Sequence, residues 1–170
     1  MSARREQRAP VDVATLPHWT QVEVRYGDLD VQGHVNNAVY FTYFEQGRVS
    51  FFSELRRLGQ AGGRDSASSA GDRGEPAEVT LSPADITFVI VSASCRYRQP
   101  IVGLAPVYVG VGTGHVTHAT VELRYAVCAA PRGMVFATGE TLLASVDLAT
   151  GRPRALPLWS REGLAQLIGA

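Results

Sequence analysis

The chain contains no lysine: its 16 basic residues are all arginine, set against 16 acidic residues for a formal net charge of zero. Zero net charge removes the general attraction to phosphate backbones, so a nucleic-acid binder working through bulk electrostatics is excluded. The missing lysine reads first as a GC-rich coding bias and only second as a demand for bidentate phosphate contacts. Cysteine is scarce as well. Cys95 and Cys128 are too few for a disulfide framework and lack metal-ligand spacing. Both stand in apolar, strand-like stretches and read as buried structural thiols. No apolar run is long enough to span a bilayer. The first residues carry Arg4, Arg5 and Arg8 beside Glu6 and Asp12, without the apolar core of a secretory signal. The expectation is a cytoplasmic, reducing setting with no membrane, nucleic acid, metal or cofactor.

What is present fits one domain with a sizeable core in 170 residues. Residues 1–16 are polar and unpatterned and are expected to form a mobile tail. From Trp19 to Tyr26 the pattern alternates, with Val22, Val24 and Tyr26 on one side of a half-buried strand. From Ala38 to Leu58, residues Tyr40, Tyr43, Phe44, Gly47, Phe51, Leu55 and Leu58 recur at helical spacing, with Gly59 as the stop. Val39, Phe41 and Phe52 lie off that stripe, so the helix should be largely enclosed. Residues 60–83 are rich in Gly, Ser and Ala and are expected to be a flexible insertion or flap. Four strands follow, over Ile86–Arg98, Pro106–His115, Thr117–Cys128 and Met134–Asp147. A short last helix closes the chain, with Ser160 as N-cap and Leu164, Leu167 and Ile168 along it. The domain proper is expected over 17–157 and the last helix within 158–170. The order predicts an α+β fold with a long helix laid on a curved antiparallel sheet. Its exposed edges would favour a homo-oligomer, a dimer or tetramer.

The densest chemistry lies in Arg25–Asn37, a loop between the first strand and the long helix. It holds Asp28, Asp30, Gly33, His34, Asn36 and Asn37. Asn36 or Asn37 suits an N-cap, and the first N–H groups of a helix lack internal partners at the positive end of its dipole. A carboxylate facing such donors is the minimum apparatus for acyl transfer: one group activates water or attacks, the other holds the oxyanion. Gly33 would allow close approach. A calcium loop starting at Asp28 is excluded because its twelfth position is Val39, where a bidentate Glu is required. Plain turn acids at Asp28 and Asp30 remain an alternative, as does a structural loop histidine at His34. Glu45, flanked by apolar residues, is expected to be buried and paired with Arg48 or a backbone donor. The run Gly110-Val111-Gly112-Thr113-Gly114 precedes a strand pattern rather than a helix. It is therefore no nucleotide loop, and its glycines are expected to serve curvature or close packing.

The spacing Tyr26-x-Asp28-x-Asp30-x-x-Gly33-His34-Val35-Asn36-Asn37-x-x-Tyr40-x-x-Tyr43-x-Glu45-x-x-Arg48 resembles the signature of the hotdog-fold acyl-CoA thioesterases. More narrowly it is similar to the 4-hydroxybenzoyl-CoA thioesterase-like family. Looser similarity extends through Arg98-Gln99-Pro100 and the Asp147–Arg152 turn, covering roughly Trp19 to Pro157 outside the insertion. The resemblance implies a helix wrapped by the sheet, sites at subunit interfaces, and hydrolysis of an acyl-CoA. It implies the catalytic carboxylate at Asp30, as general base or nucleophile, and an oxyanion-binding backbone N–H at Asn37. Gly33, His34 and Glu45 belong to the same motif. The family binds CoA phosphates through scattered basic residues, for which Arg96, Arg98 and Arg124 are the candidates. A carrier-protein thioester as substrate, or acyl-thioester binding without turnover, stays open as an alternative.

Overall fold

The computed structural model describes residues 10–61 and 88–168. Strand β1 (His18–Val22) is followed by helix α1 (Val39–Ala61). Then come β2 (Phe88–Tyr97), β3 (Val107–Val116), β4 (Thr120–Cys128), β5 (Val135–Ser145) and a closing helix α2 (Leu158–Ile168). The five strands form one antiparallel sheet in the order β1-β3-β4-β5-β2. This is the hotdog fold that the loop motif implied. Among the described residues no helix is long and apolar enough to cross a membrane.

The apolar stripe of α1 forms the centre of the core. Tyr43, Phe44, Phe51 and Leu55 are all at most 1% exposed, and burying side chains of this size contributes about 1.5–3 kcal/mol each. They meet the inward residues Val109, Val111, Leu123, Tyr125 and Val127 of β3 and β4. Gly47 brings the helix onto β3: a Cβ there would lie 2.6 Å from a Val109 methyl. The helix therefore packs on β1, β3 and β4. It reaches β2 through aromatic contacts at the two ends of that strand, Tyr40 on Tyr97 and Phe52 on Phe88.

The outer face of the sheet is covered by a segment expected to be mobile. Asp12 accepts the Ala14 N–H at 3.0 Å and caps a short 3-10 turn at Val13–Thr15. Leu16 and Trp19 then settle over Ala126 and Cys128. They fit because β3 presents glycine there: a Cβ at Gly110 would stand 2.7 Å from the Trp19 ring, and one at Gly112 3.0 Å from Leu16. The glycine run thus serves close packing, as its sequence context suggested. A turn this short carries no periodicity, so residues 11–16 looked unpatterned. Residues 1–9 lie outside the described part.

Other boundaries also differ. β1 ends at Val22, and Tyr26 is 84% exposed rather than inward. The cause is Asp28, whose carboxylate accepts the Arg25 N–H while its own N–H donates to the Arg25 carbonyl, turning the chain into a 3-10 turn at Tyr26–Asp28. Gly59 does not stop α1. It and Gly163 instead let α1 and α2 touch backbone to backbone. α2 begins at Leu158, so Ser160 lies in its first turn, where its hydroxyl donates to the Pro157 carbonyl at 2.7 Å. Except for Gln60 and Ala61, which end α1, the expected insertion lies outside the described residues.

Candidate active site

The loop between β1 and α1 folds as a miniature hairpin. Gly33 N–H donates to the Asp30 carbonyl at 3.0 Å, and Asp30 N–H to the His34 carbonyl at 2.8 Å. Isolated bridges join Leu29 to Val35 and His34 to Val102. A tight turn followed by a left-handed residue is a common way to close such a loop. Gly33 supplies that residue at φ 73°, with nothing within 4 Å of an added Cβ. Glycine is needed here for its backbone, not for close approach of another group. The turn leaves Asp30 half-buried. Its Oδ1 accepts the Gln32 N–H at 2.8 Å and the His34 N–H at 3.3 Å, and these bonds hold the carboxylate in one orientation with Oδ2 left for other work.

Asp28 anchors the hairpin from inside. It is 2% exposed, a position a carboxylate occupies only when fully bonded. Its Oδ2 accepts the Arg25 N–H and the Tyr43 hydroxyl, both at 2.9 Å; its Oδ1 accepts the Arg25 guanidinium at 2.8 and 3.1 Å. Its carbonyl accepts the Asn36 N–H at 2.8 Å. Burial alone would raise the Asp28 pKa, but the bonds from Arg25 and Tyr43 together hold it below its ordinary 3.8. Burial, and then the bond to Asp28, push the Tyr43 hydroxyl well up, so it stays a donor. Tyr43 reads in the sequence as one more core aromatic. The only hint of its second role is that it shares the helix face below Asp28.

The hairpin sets Asp30 against the start of α1. Asn36 takes two of the orphan donors: its Oδ1 accepts the Ala38 N–H at 2.9 Å and its carbonyl the Val39 N–H at 3.0 Å. Asn36 therefore turns the chain into α1. The Asn37 N–H makes no hydrogen bond with the described residues. The next peptide unit, across the Asn37 Cα, is also held: the Asn37 carbonyl accepts the Tyr97 hydroxyl at 2.8 Å. Asp30, His34, Asn37, Tyr40, Tyr97 and Arg98 share a cleft of about 390 Å³. Tyr40 and Tyr97 meet edge to face at 5.1 Å and form its aromatic wall. Tyr97 was not singled out from sequence, because nothing near it marks a helix start about 60 residues away in the chain.

The structure thus gathers Asp30, His34, Asn37 and Arg98 around one cleft, with Gly33 shaping the turn. It does not bring the others there. Glu45 is exposed, not buried. It lines a second cleft of about 500 Å³ between α1 and β1, with Gln46, Ser50 and Thr20. Its apolar flanks belong to neighbouring helix faces, which turn away from it. Arg96 and Arg124 stand on the outer face of the sheet. Arg96 lies opposite Thr138, which also pairs with the outward Ala126. Arg124 bonds Glu122 at 3.1 Å.

Comparison with known proteins agrees with the fold. The family model of the thioesterase-like superfamily matches residues 24–166. The long-chain acyl-CoA thioesterase FadM of Escherichia coli is 26% identical over 149 residues, covering 88% of this chain and 98% of FadM. The YsmA protein of Bacillus subtilis is 24% identical over 107 residues, and this chain spans 58% of its length. Among solved structures, a Thermus thermophilus thioesterase complexed with coenzyme A and Zn superposes with a TM-score of 0.65. It is 28% identical and covers 91% of this chain and 97% of its own.

Proposed function

The chain belongs to the thioesterase-like superfamily, and from that premise we propose that it hydrolyses acyl-CoA thioesters with Asp30 as the working carboxylate. The observation that carries this reading is the pairing of an oriented carboxylate with an uncommitted helix-start N–H in one cleft. Asp30 takes a proton from water through Oδ2 as the water oxygen attacks the thioester carbonyl carbon. The Asn37 N–H stabilises the resulting oxyanion. Collapse breaks the carbon–sulfur bond, releasing the acid and the CoA thiol. A backbone donor of this kind is worth about 3 kcal/mol and a positioned base a factor of about 10² to 10⁴. Such help suffices for a thioester, which is activated relative to an amide. The acyl-CoA thioesterase FadM and the CoA-bound Thermus protein support CoA as the leaving group. Arg98, at the cleft rim, is the best-placed cation for its phosphates.

The active form is a dimer in this reading. β2 is an edge strand exposed along nearly its whole length, with Val89, Ile90 and Val91 39–57% exposed. An open apolar edge of this kind needs a cover.

The test is release of free CoA thiol across short, long and aromatic acyl-CoAs, with carrier-protein thioesters alongside. Asp30→Asn keeps the oxygen that accepts the Gln32 and His34 N–H groups, so it should fold normally yet lose about 10²-fold or more in turnover. Wild-type turnover in that variant would remove Asp30 from the chemistry.

A further inference from the structure

Beside the cleft, the inner face of the sheet carries a polar cluster that the hydrolysis does not use. Rungs of the β4-β5-β2 pairing define its place. Val127, Ala137 and Tyr97 form the rung at the cleft. Tyr125, Gly139 and Cys95 form one further along, and Leu123, Thr141 and Ala93 the next. From Tyr97 to Ala93 is roughly 13 Å of strand. α1 packs on β1, β3 and β4, and Ala93 is exposed while Cys95 is half-buried. Between the two aromatic contacts that reach it, Tyr40–Tyr97 at the cleft end and Phe52–Phe88 at the far end, the inner face of β2 packs Cys95 on the core and is open at Ala93.

At the back of this bay the Tyr125 ring stacks on Phe44 at 4.7 Å. Tyr125 is fully buried, and among the described residues its hydroxyl has no partner at hydrogen-bonding geometry. A buried hydroxyl without a partner costs about 1–3 kcal/mol and calls for an explanation. Two groups act on it, the Thr141 hydroxyl and the Arg48 guanidinium, each favouring the ionised phenol against the burial that opposes it. Thr141 is 2% exposed and Arg48 half-buried. Among the described residues no carboxylate pairs with Arg48. Burial raises the Tyr125 pKa, so the hydroxyl remains protonated and able to donate. Phenol, hydroxyl and guanidinium together offer donors and one positive charge, with no acid to match them among the described residues. That is the complement of a carboxylate.

We infer that Arg48, Tyr125 and Thr141 form a subsite for an oxygen-bearing tail terminus, so that the enzyme prefers acyl-CoAs whose chain ends in a carboxylate over methyl-ended chains. The inference rests on the acyl-CoA reading above, with the tail running from the cleft along β2.

Two assays with shared variants test it. The first measures binding of non-hydrolysable CoA thioethers with tails of matched length, one ending in methyl and one in carboxylate, by calorimetry. The second measures kcat/KM on the matching acyl-CoAs. The carboxylate tail should be favoured about tenfold or more in both. Tyr125→Phe, which keeps the ring stack, and Arg48→Met should each bring the ratio near one, with Arg48→Gln as a second charge-removing variant. Equal or better use of the methyl tail overturns the subsite, as does a ratio unmoved by every variant. A carboxylate preference in binding without hydrolysis of any acyl-CoA keeps the subsite and sinks the hydrolase reading. Hydrolysis without terminus preference does the reverse, and failure of both analogues to bind refutes both.

Discussion

Replacing Tyr43 by Phe removes one oxygen from the interior and leaves the ring in place. That oxygen donates to Asp28 at 2.9 Å, and the acceptor is a carboxylate with 2% exposure. A hydrogen bond to a charged buried group is worth about 1.5–3 kcal/mol. For a chain of this size each kcal/mol moves Tm by about 2–4 °C, so Tyr43→Phe should lower Tm at neutral pH by about 3–12 °C. The loss should depend on pH in a definite direction. Asp28 is held below its ordinary 3.8 in the folded protein. Its contribution is therefore fully present above that value and is lost as pH falls through the depressed folded one. The gap between wild type and variant should be widest near neutrality and narrow below about pH 4. Thermal unfolding followed by circular dichroism from neutral to acidic pH measures both. A neutral-pH shift under about 1 °C, or a gap constant with pH, would refute the claim that Tyr43 stabilises a charged Asp28.

Three further outcomes follow from the same geometry. Gly33→Ala puts a side chain at φ 73°, costing about 1–2 kcal/mol in chemical denaturation, while an added Cβ meets no neighbour; no change in stability would mean the turn relaxes freely. Tyr97→Phe frees the Asn37 carbonyl, and should lower kcat on acyl-CoA by about tenfold, the equivalent of 1.4 kcal/mol, with Tm nearly unchanged; an effect on KM alone would place Tyr97 in binding rather than in steadying the donor. Tyr125→Phe removes a buried hydroxyl without a partner, and should hold or raise stability by up to about 1 kcal/mol in denaturant titration; a clear loss would show that the hydroxyl is bonded after all.

Local pattern carried the sequence reading a long way. The Tyr40-to-Leu55 stripe and the Val121-to-Val127 alternation are periodicities enforced by burial on one side, so the long helix and central strands were legible within a few residues. Asp30, Gly33, His34 and Asn37 were legible because they sit in one short loop. The misses involve partners distant in the chain. Leu16 is buried only because Gly110 and Gly112 lie across the sheet from it. Gly59 looked like a helix stop because the backbone it packs on, at Trp159, belongs to another helix. Glu45 looked enclosed because its chain neighbours are apolar, although one turn of helix separates faces by direction and not by sequence. Arg96 and Arg98, two positions apart near a strand end, are divided between the outer sheet face and the cleft rim.

The strand order has a consequence for how the chain finds its fold. β3, β4 and β5 are consecutive in sequence and pair through short connections, so the centre of the sheet can assemble locally. β1 must wait for β3, bringing His18 beside Val111, and β2 must wait for β5. Closing those longer loops costs entropy before any contact returns it, which slows the step relative to hairpin formation. The hairpin that carries Asp30 hangs from β1, and Tyr97 from the end of β2. Both halves of the cleft therefore arrive with the two late strands, on a centre that is already built.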